Sequence, residues 1–163
     1  MIRALFAINR AIAGLNWVVG WLLAALLLVM TVFIAWQVFA RYVMGSPLFF
    51  SEEIARFSMV WMTMLGMGYA FRHGSLISVD ILAEFGGVTL RRLLAVAIPL
   101  IAIVFALVLL VWGIDITERV ARQTAPSTRI SMGWLYAAVP AGAALIFVNA
   151  LGLLIDSVTP KRA

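Results

Sequence analysis

Charge disappears from this chain in long blocks. No Asp, Glu, Lys or Arg lies between Arg10 and Arg41, and the residues between them are apolar on every helical face. About 20 such residues, rising 1.5 Å each, cross the roughly 30 Å hydrocarbon core of a bilayer. The run therefore predicts a long, tilted transmembrane helix over 15–41. A cleaved signal peptide has an apolar region of only about 7–15 residues, so the run reads as a retained anchor. A second, shorter block begins near Ser51, carries Glu52, Glu53 and Arg56 in its first turns and is uncharged over 57–71. It predicts a span over 51–72. Third and fourth spans are predicted over 92–115 and 131–156.

The segments between the blocks have their own patterns. Ile2, Leu5, Phe6 and Ile12 share one side, with Arg3 and Arg10 on another, as in a short helix lying in the membrane interface. Between spans two and three, Ile77, Val79, Ile81 and Leu82 surround Asp80 and Glu84 before Gly86-Gly87, which predicts a short surface helix. Pro99 and Pro140 fall inside spans three and four and predict kinks. The expected fold is an all-α integral membrane protein, a single domain over 1–163, with four transmembrane helices and short interfacial helices at the N-terminus and between spans 2 and 3.

Composition agrees, at 65% hydrophobic and 12% charged residues against roughly 25% charged in a soluble domain. The net charge of +5 comes from arginines spread singly among apolar runs, which is no nucleic-acid-binding face. With no cysteine, neither a disulfide framework nor a thiolate metal site is available. A lone His73 cannot supply both axial ligands of a bis-histidine haem. No GxSxG, HExxH or Walker pattern occurs, so no catalytic, cofactor or metal residue is expected. With an even number of spans, both termini share a side. Arg3, Arg10, Arg72, Arg91, Arg92, Lys161 and Arg162 outnumber Arg41, Arg56, Arg119, Arg122 and Arg129, which favours cytoplasmic termini.

The polar residues at the span ends are the candidates for function. Ser46 or Ser51 can cap a helix whose first turns hold Glu52 and Glu53, and Glu52 faces Arg56 one turn on. Those acids serve equally as a sound helix start or as a charged handle for a partner chain. Small residues recur at four-residue spacing, including Gly66 with Ala70, which permits close helix approach. Such faces serve packing within the chain or contact with another subunit, and the amides of Gln37 and Asn149, which can bond across helices, would help the latter. Trp17, Trp61, Trp112 and Trp134 fit interface anchoring.

The stretch Gln37-Val38-Phe39-Ala40-Arg41-Tyr42, then Ser51-Glu52-Glu53-Ile54-Ala55-Arg56, Trp61, Gly66, Gly68, Arg72 and Ile77-Ser78-Val79-Asp80 resembles the small membrane subunit of tripartite ATP-independent periplasmic (TRAP) transporters. Later, Ser131-Met132-Gly133-Trp134-Leu135-Tyr136 with Pro140 and Gly142 resembles the start of that subunit's last span. Phe50 stands where the family usually places a tryptophan. The resemblance implies a bacterial inner-membrane protein with cytoplasmic termini. It also implies two partners besides the lipid bilayer: a large TRAP membrane subunit holding the substrate and sodium sites, and a periplasmic substrate-binding protein that captures an organic acid or similar small anion. The small subunit would scaffold the large one and help dock the binding protein. Candidate partner-interface residues are Arg41, Glu52, Glu53, Arg56, Gly66, Ala70, Asp80, Arg119, Arg122 and Arg129. The competing readings are an accessory subunit of another membrane complex and a small dimeric multidrug exporter. The exporter requires a membrane-embedded carboxylate, and none lies deep in any predicted span.

Overall fold

A chain whose apolar blocks carry no two-residue alternation has little with which to build sheet, and the computed structural model is helical throughout. It describes the backbone of residues 2–46 and 48–158, and the side chains of these apart from 2–6, 75–86, 88, 91 and 158. Helix accounts for 88% of the described residues, and no strand occurs among them. The elements are α1 (Ile2–Tyr42), α2 (Phe49–Val120), α3 (Met132–Tyr136) and α4 (Ala138–Val158).

Among the described residues, three stretches are long and apolar enough to cross a membrane: Ala7–Tyr42, Arg92–Val120 and Met132–Ser157. The expected span over 51–72 is not among them. Its physical difference is its place in the bundle. Ser51, Ala55, Ser58, Leu65 and Gly68 are buried, a near-heptad stripe of mostly small residues packed against neighbouring helices. A central helix can carry polar and small residues because protein, not lipid, covers them.

The part of α2 after Gly87 runs back along the bundle. Gly87 breaks the helix with φ 69 and ψ −179, a conformation that costs glycine little because it has no Cβ. Beyond it, Ile98, Ala102 and Phe105 face Met67, Ala70 and Gly74, and Gly113 lies against Pro140. Gly86-Gly87 thus marks a true break. The side chains of the surface helix expected just before it, Asp80 among them, lie outside the described residues. No separate N-terminal helix precedes the first span: α1 is continuous from Ile2 to Tyr42. Pro99 does not interrupt its helix, whereas Pro140 lacks the N–H that would bond the Tyr136 carbonyl. The last span divides there into α3 and α4.

Packing sets the register of the bundle. Val19, Leu65 and Leu145 form its buried core, with Leu23, Trp61, Tyr69 and Ala141 packed around them. Two glycines permit close approach between α2 and α4. A Cβ on Gly142 would lie 2.5 Å from the Met64 carbonyl oxygen, and one on Gly68 would lie 2.8 Å from Leu145. By contrast, most of α1 and of the last part of α2 present bare apolar surface, including Trp17, Leu28, Ile101 and Trp112.

Candidate functional site

Polar side chains hold the bundle at three heights, and each set has a different job. At the end that carries the 121–131 loop, Glu53 acts as a clamp. Its Oε1 accepts from the Ser127 backbone N–H at 2.9 Å, and its Oε2 accepts from the Thr128 backbone N–H and hydroxyl, both at 2.8 Å. Removal from water raises the Glu53 pKa, but these bonds to the charged form outweigh it and leave the group below its ordinary value of 4.5. The loop it grips is also tied to itself. Ala125 donates to the Ile130 carbonyl at 2.8 Å and Met132 to that of Gln123 at 2.8 Å. Ser131 donates to the Ala121 carbonyl and caps α3 by accepting from Gly133 N–H. Arg129 takes a left-handed φ of 56 within this knot.

Around the clamp lie the other predicted charges. Glu52 meets Arg56 at 3.5 Å and accepts from Gln37 at 3.3 Å. Arg119 pairs with Asp115 at 3.0 Å. Both ion pairs are about half exposed or more and contribute little to stability, at most about 1 kcal/mol each. Arg41, Arg122 and Arg129 are exposed and make no ion pair among the described residues. Five arginines and four carboxylates (Glu52, Glu53, Asp115 and Glu118) therefore share one end of the bundle. Most of the carboxylates are engaged within the chain, and three of the arginines are left facing outward.

At mid-bundle, Asn16 and Asn149 form a buried reciprocal pair. Asn16 Nδ2 donates to Asn149 Oδ1 at 2.6 Å, and Asn149 Nδ2 returns a bond to Asn16 Oδ1 at 3.0 Å. The remaining N–H of Asn149 goes to the Gly68 carbonyl at 2.7 Å, and that of Asn16 to the Ile12 carbonyl at 2.9 Å. Every amide hydrogen has an acceptor, so burial leaves no donor stranded. At the opposite end, Asp156 accepts from Asn9 and pairs with Arg72 at 3.0 Å, joining α1, α2 and α4. Both ends of the described chain thus meet at one end of the bundle.

The structure brings together Arg41, Glu52, Glu53, Arg56, Arg119, Arg122 and Arg129, but not the rest of the predicted set. Gly66 is part-buried inside the chain, facing Leu23 of α1. Ala70 is exposed on the rim of an apolar cleft of about 570 Å³. Two sequence expectations change. Neither Ser46 nor Ser51 caps α2, whose N-cap is Leu48; Ser51 is buried and donates to the Leu48 carbonyl instead. Asn149 bonds within the chain, to Asn16, which carries the same sequence signal, an amide inside an uncharged apolar run.

These features define a multi-helix membrane protein whose buried polar groups lock its own helices, with a charged, loop-covered end. Comparison with known proteins narrows this class. Residues 30–159 match the family described as tripartite ATP-independent periplasmic transporters, DctQ component, and the chain belongs to that family. The family is one of transporter components, not enzymes. The chain is 26% identical over 121 residues to a sialic acid TRAP transporter small permease protein, SiaQ, of Vibrio cholerae, covering 74% of this chain and 68% of the relative. It is 28% identical over 110 residues to a sialic acid TRAP transporter permease protein, SiaT, of Haemophilus influenzae, covering 68% of this chain but 18% of that protein. It is 36% identical over 64 residues to an ectoine TRAP transporter small permease protein, TeaB, of Halomonas elongata, covering 39% of this chain and 33% of the relative.

Proposed function

We propose that this chain scaffolds the large permease subunit of a sodium-coupled TRAP transporter in the bacterial inner membrane and helps dock a periplasmic binding protein that delivers an organic acid or similar small anion. The observation that carries the reading is the family match over residues 30–159. The Haemophilus relative adds weight, because a stretch like this chain makes up only 18% of a much longer permease there. A segment joined covalently to a permease in one system is a natural stable partner of a permease in another.

In this reading the chain crosses the membrane four times, with both termini cytoplasmic. The second crossing is the central helix between Glu53, at the loop end, and Arg72, at the terminal end. Its 19-residue separation corresponds to roughly 28 Å of helical rise, close to the thickness of a hydrocarbon core. The loop end then faces the periplasm, where Arg41, Arg122 and Arg129 offer cationic contacts on a base that Glu53 holds rigid. Charge of this kind mainly steers encounter and sets its salt dependence.

Reconstitution of the large subunit with the binding protein in liposomes under a sodium gradient tests the proposal. Uptake should require this chain. In the reconstituted system, Arg122→Glu together with Arg129→Glu should slow uptake at low salt while leaving complex yield intact. Full uptake without the chain would overturn the scaffold role, and unchanged kinetics in the double variant would overturn the docking role.

A further inference from the structure

Among the described residues, Arg129 alone outside glycine has a positive φ, of 56. In that left-handed region a Cβ crowds the neighbouring carbonyl, a cost that glycine avoids. A left-handed arginine therefore persists only where its surroundings fix it, and strain of this kind gathers where a side chain has a function.

The surroundings do fix it. Residues 125–130 close on themselves: the Arg129 N–H donates to the Ala125 carbonyl at 3.1 Å, and the Ala125 N–H to the Ile130 carbonyl at 2.8 Å. Ala125 is 2% exposed and roots this ring in the bundle. On the side that precedes Arg129, Glu53 accepts from the Ser127 N–H at 2.9 Å and from the Thr128 N–H and hydroxyl at 2.8 Å. Both carboxylate oxygens are engaged inside the chain, so Glu53 is not the charged handle for a partner. What reaches solvent is the arginine, exposed and with no ion pair among the described residues.

We propose that Glu53 is a positioning residue for docking: through the 127–129 backbone it sets the left-handed Arg129, whose guanidinium takes a carboxylate of the periplasmic binding protein. The inference rests on the docking reading above and adds to it the residue that makes the contact and the residue that aims it. A guanidinium is a planar fork that meets a carboxylate through two parallel bonds, so its direction matters as well as its charge. An anchored backbone supplies that direction, whereas a loosened loop has to be ordered at the moment of binding. Arg41 differs, because it lies in the last turn of α1, where the Glu53 bonds do not reach.

The test uses the large subunit and this chain reconstituted in liposomes under a sodium gradient, with the binding protein titrated at low salt. Arg129→Gly keeps the left-handed backbone and removes the guanidinium. It should raise the binding-protein concentration that half-saturates uptake several-fold, with complex yield and maximal uptake unchanged and amide protection at Ser127 and Thr128 no lower. Glu53→Gln should raise that concentration too, with complex yield and maximal uptake again unchanged, while the protection falls. Because Glu53 acts through Arg129, Glu53→Gln should add nothing in the Arg129→Gly background but should multiply the effect of Arg41→Ala. A Glu53→Gln complex that saturates like the unmodified one, that adds its full effect to Arg129→Gly, or that loses the large subunit would overturn the positioning role. No change in Arg129→Gly would overturn the contact itself. Unchanged kinetics when Arg122→Glu and Arg129→Glu are combined would instead overturn the docking reading, and this inference with it.

Discussion

Replacing Asn149 by leucine, which is close to it in shape, removes both bonds exchanged with Asn16 and the one donated to the Gly68 carbonyl. Interhelical side-chain bonds in membrane proteins average about 0.6 kcal/mol each, so three account for about 2 kcal/mol. Asn16 is then left buried with its own acceptor and one donor unmet, and such a stranded group costs about 1–3 kcal/mol. The single variant should therefore lose about 3–5 kcal/mol, and Asn16→Leu about the same, because it strands Asn149 in turn. The double variant removes the shared bonds once and strands neither amide. It should lose only about 2–3 kcal/mol, a coupling of at least about 3 kcal/mol, the top of the usual range for contacting residues. Reversible unfolding in mixed micelles, followed by circular dichroism, measures all three. Additive losses would refute the claim that the two amides act as one closed unit.

Two further outcomes follow from the packing and the clamp. Gly142→Ala forces a methyl to within 2.5 Å of the Met64 carbonyl oxygen and should cost about 1–3 kcal/mol in the same assay, whereas Gly14→Ala, with nothing within 4 Å, should cost nothing. For Glu53, the lowered pKa means the charged clamp contributes fully above the ordinary carboxylate value of 4.5 and is lost as pH falls through the lower folded value. Amide hydrogen exchange at Ser127 and Thr128 should stay protected at pH 5 and above and, at fixed intrinsic rate, accelerate below that folded value. Glu53→Gln should accelerate it at every pH.

How much the sequence reveals depends on whether a signal is local. The spans expected over 15–41, 92–115 and 131–156 reappear as the three apolar stretches, because apolarity over a membrane thickness needs no knowledge of neighbours. The break at Gly87 is equally local. The central helix is shorter and more polar, and only the fold shows that α4 covers Gly68 and Arg72. The same limit applies at the site. Glu53 looks like any acid in a first helical turn, and only the fold carries the 121–131 loop, more than 70 residues further on, to its carboxylate. Asn16 carries the same local signal as Asn149, but which amide it meets, 133 residues away, is again a matter of the fold.

The central claim is that this chain works as the tightly held small partner of a large permease. It is tested most directly by tagging the chain at its C-terminus, solubilising native membranes in mild detergent and identifying what co-purifies in stoichiometric amount. The account predicts a single large multi-span permease, retained through washing in high salt because apolar helix faces rather than surface charges hold it. Recovery of the chain alone, as a monomer or as a homodimer, would contradict it.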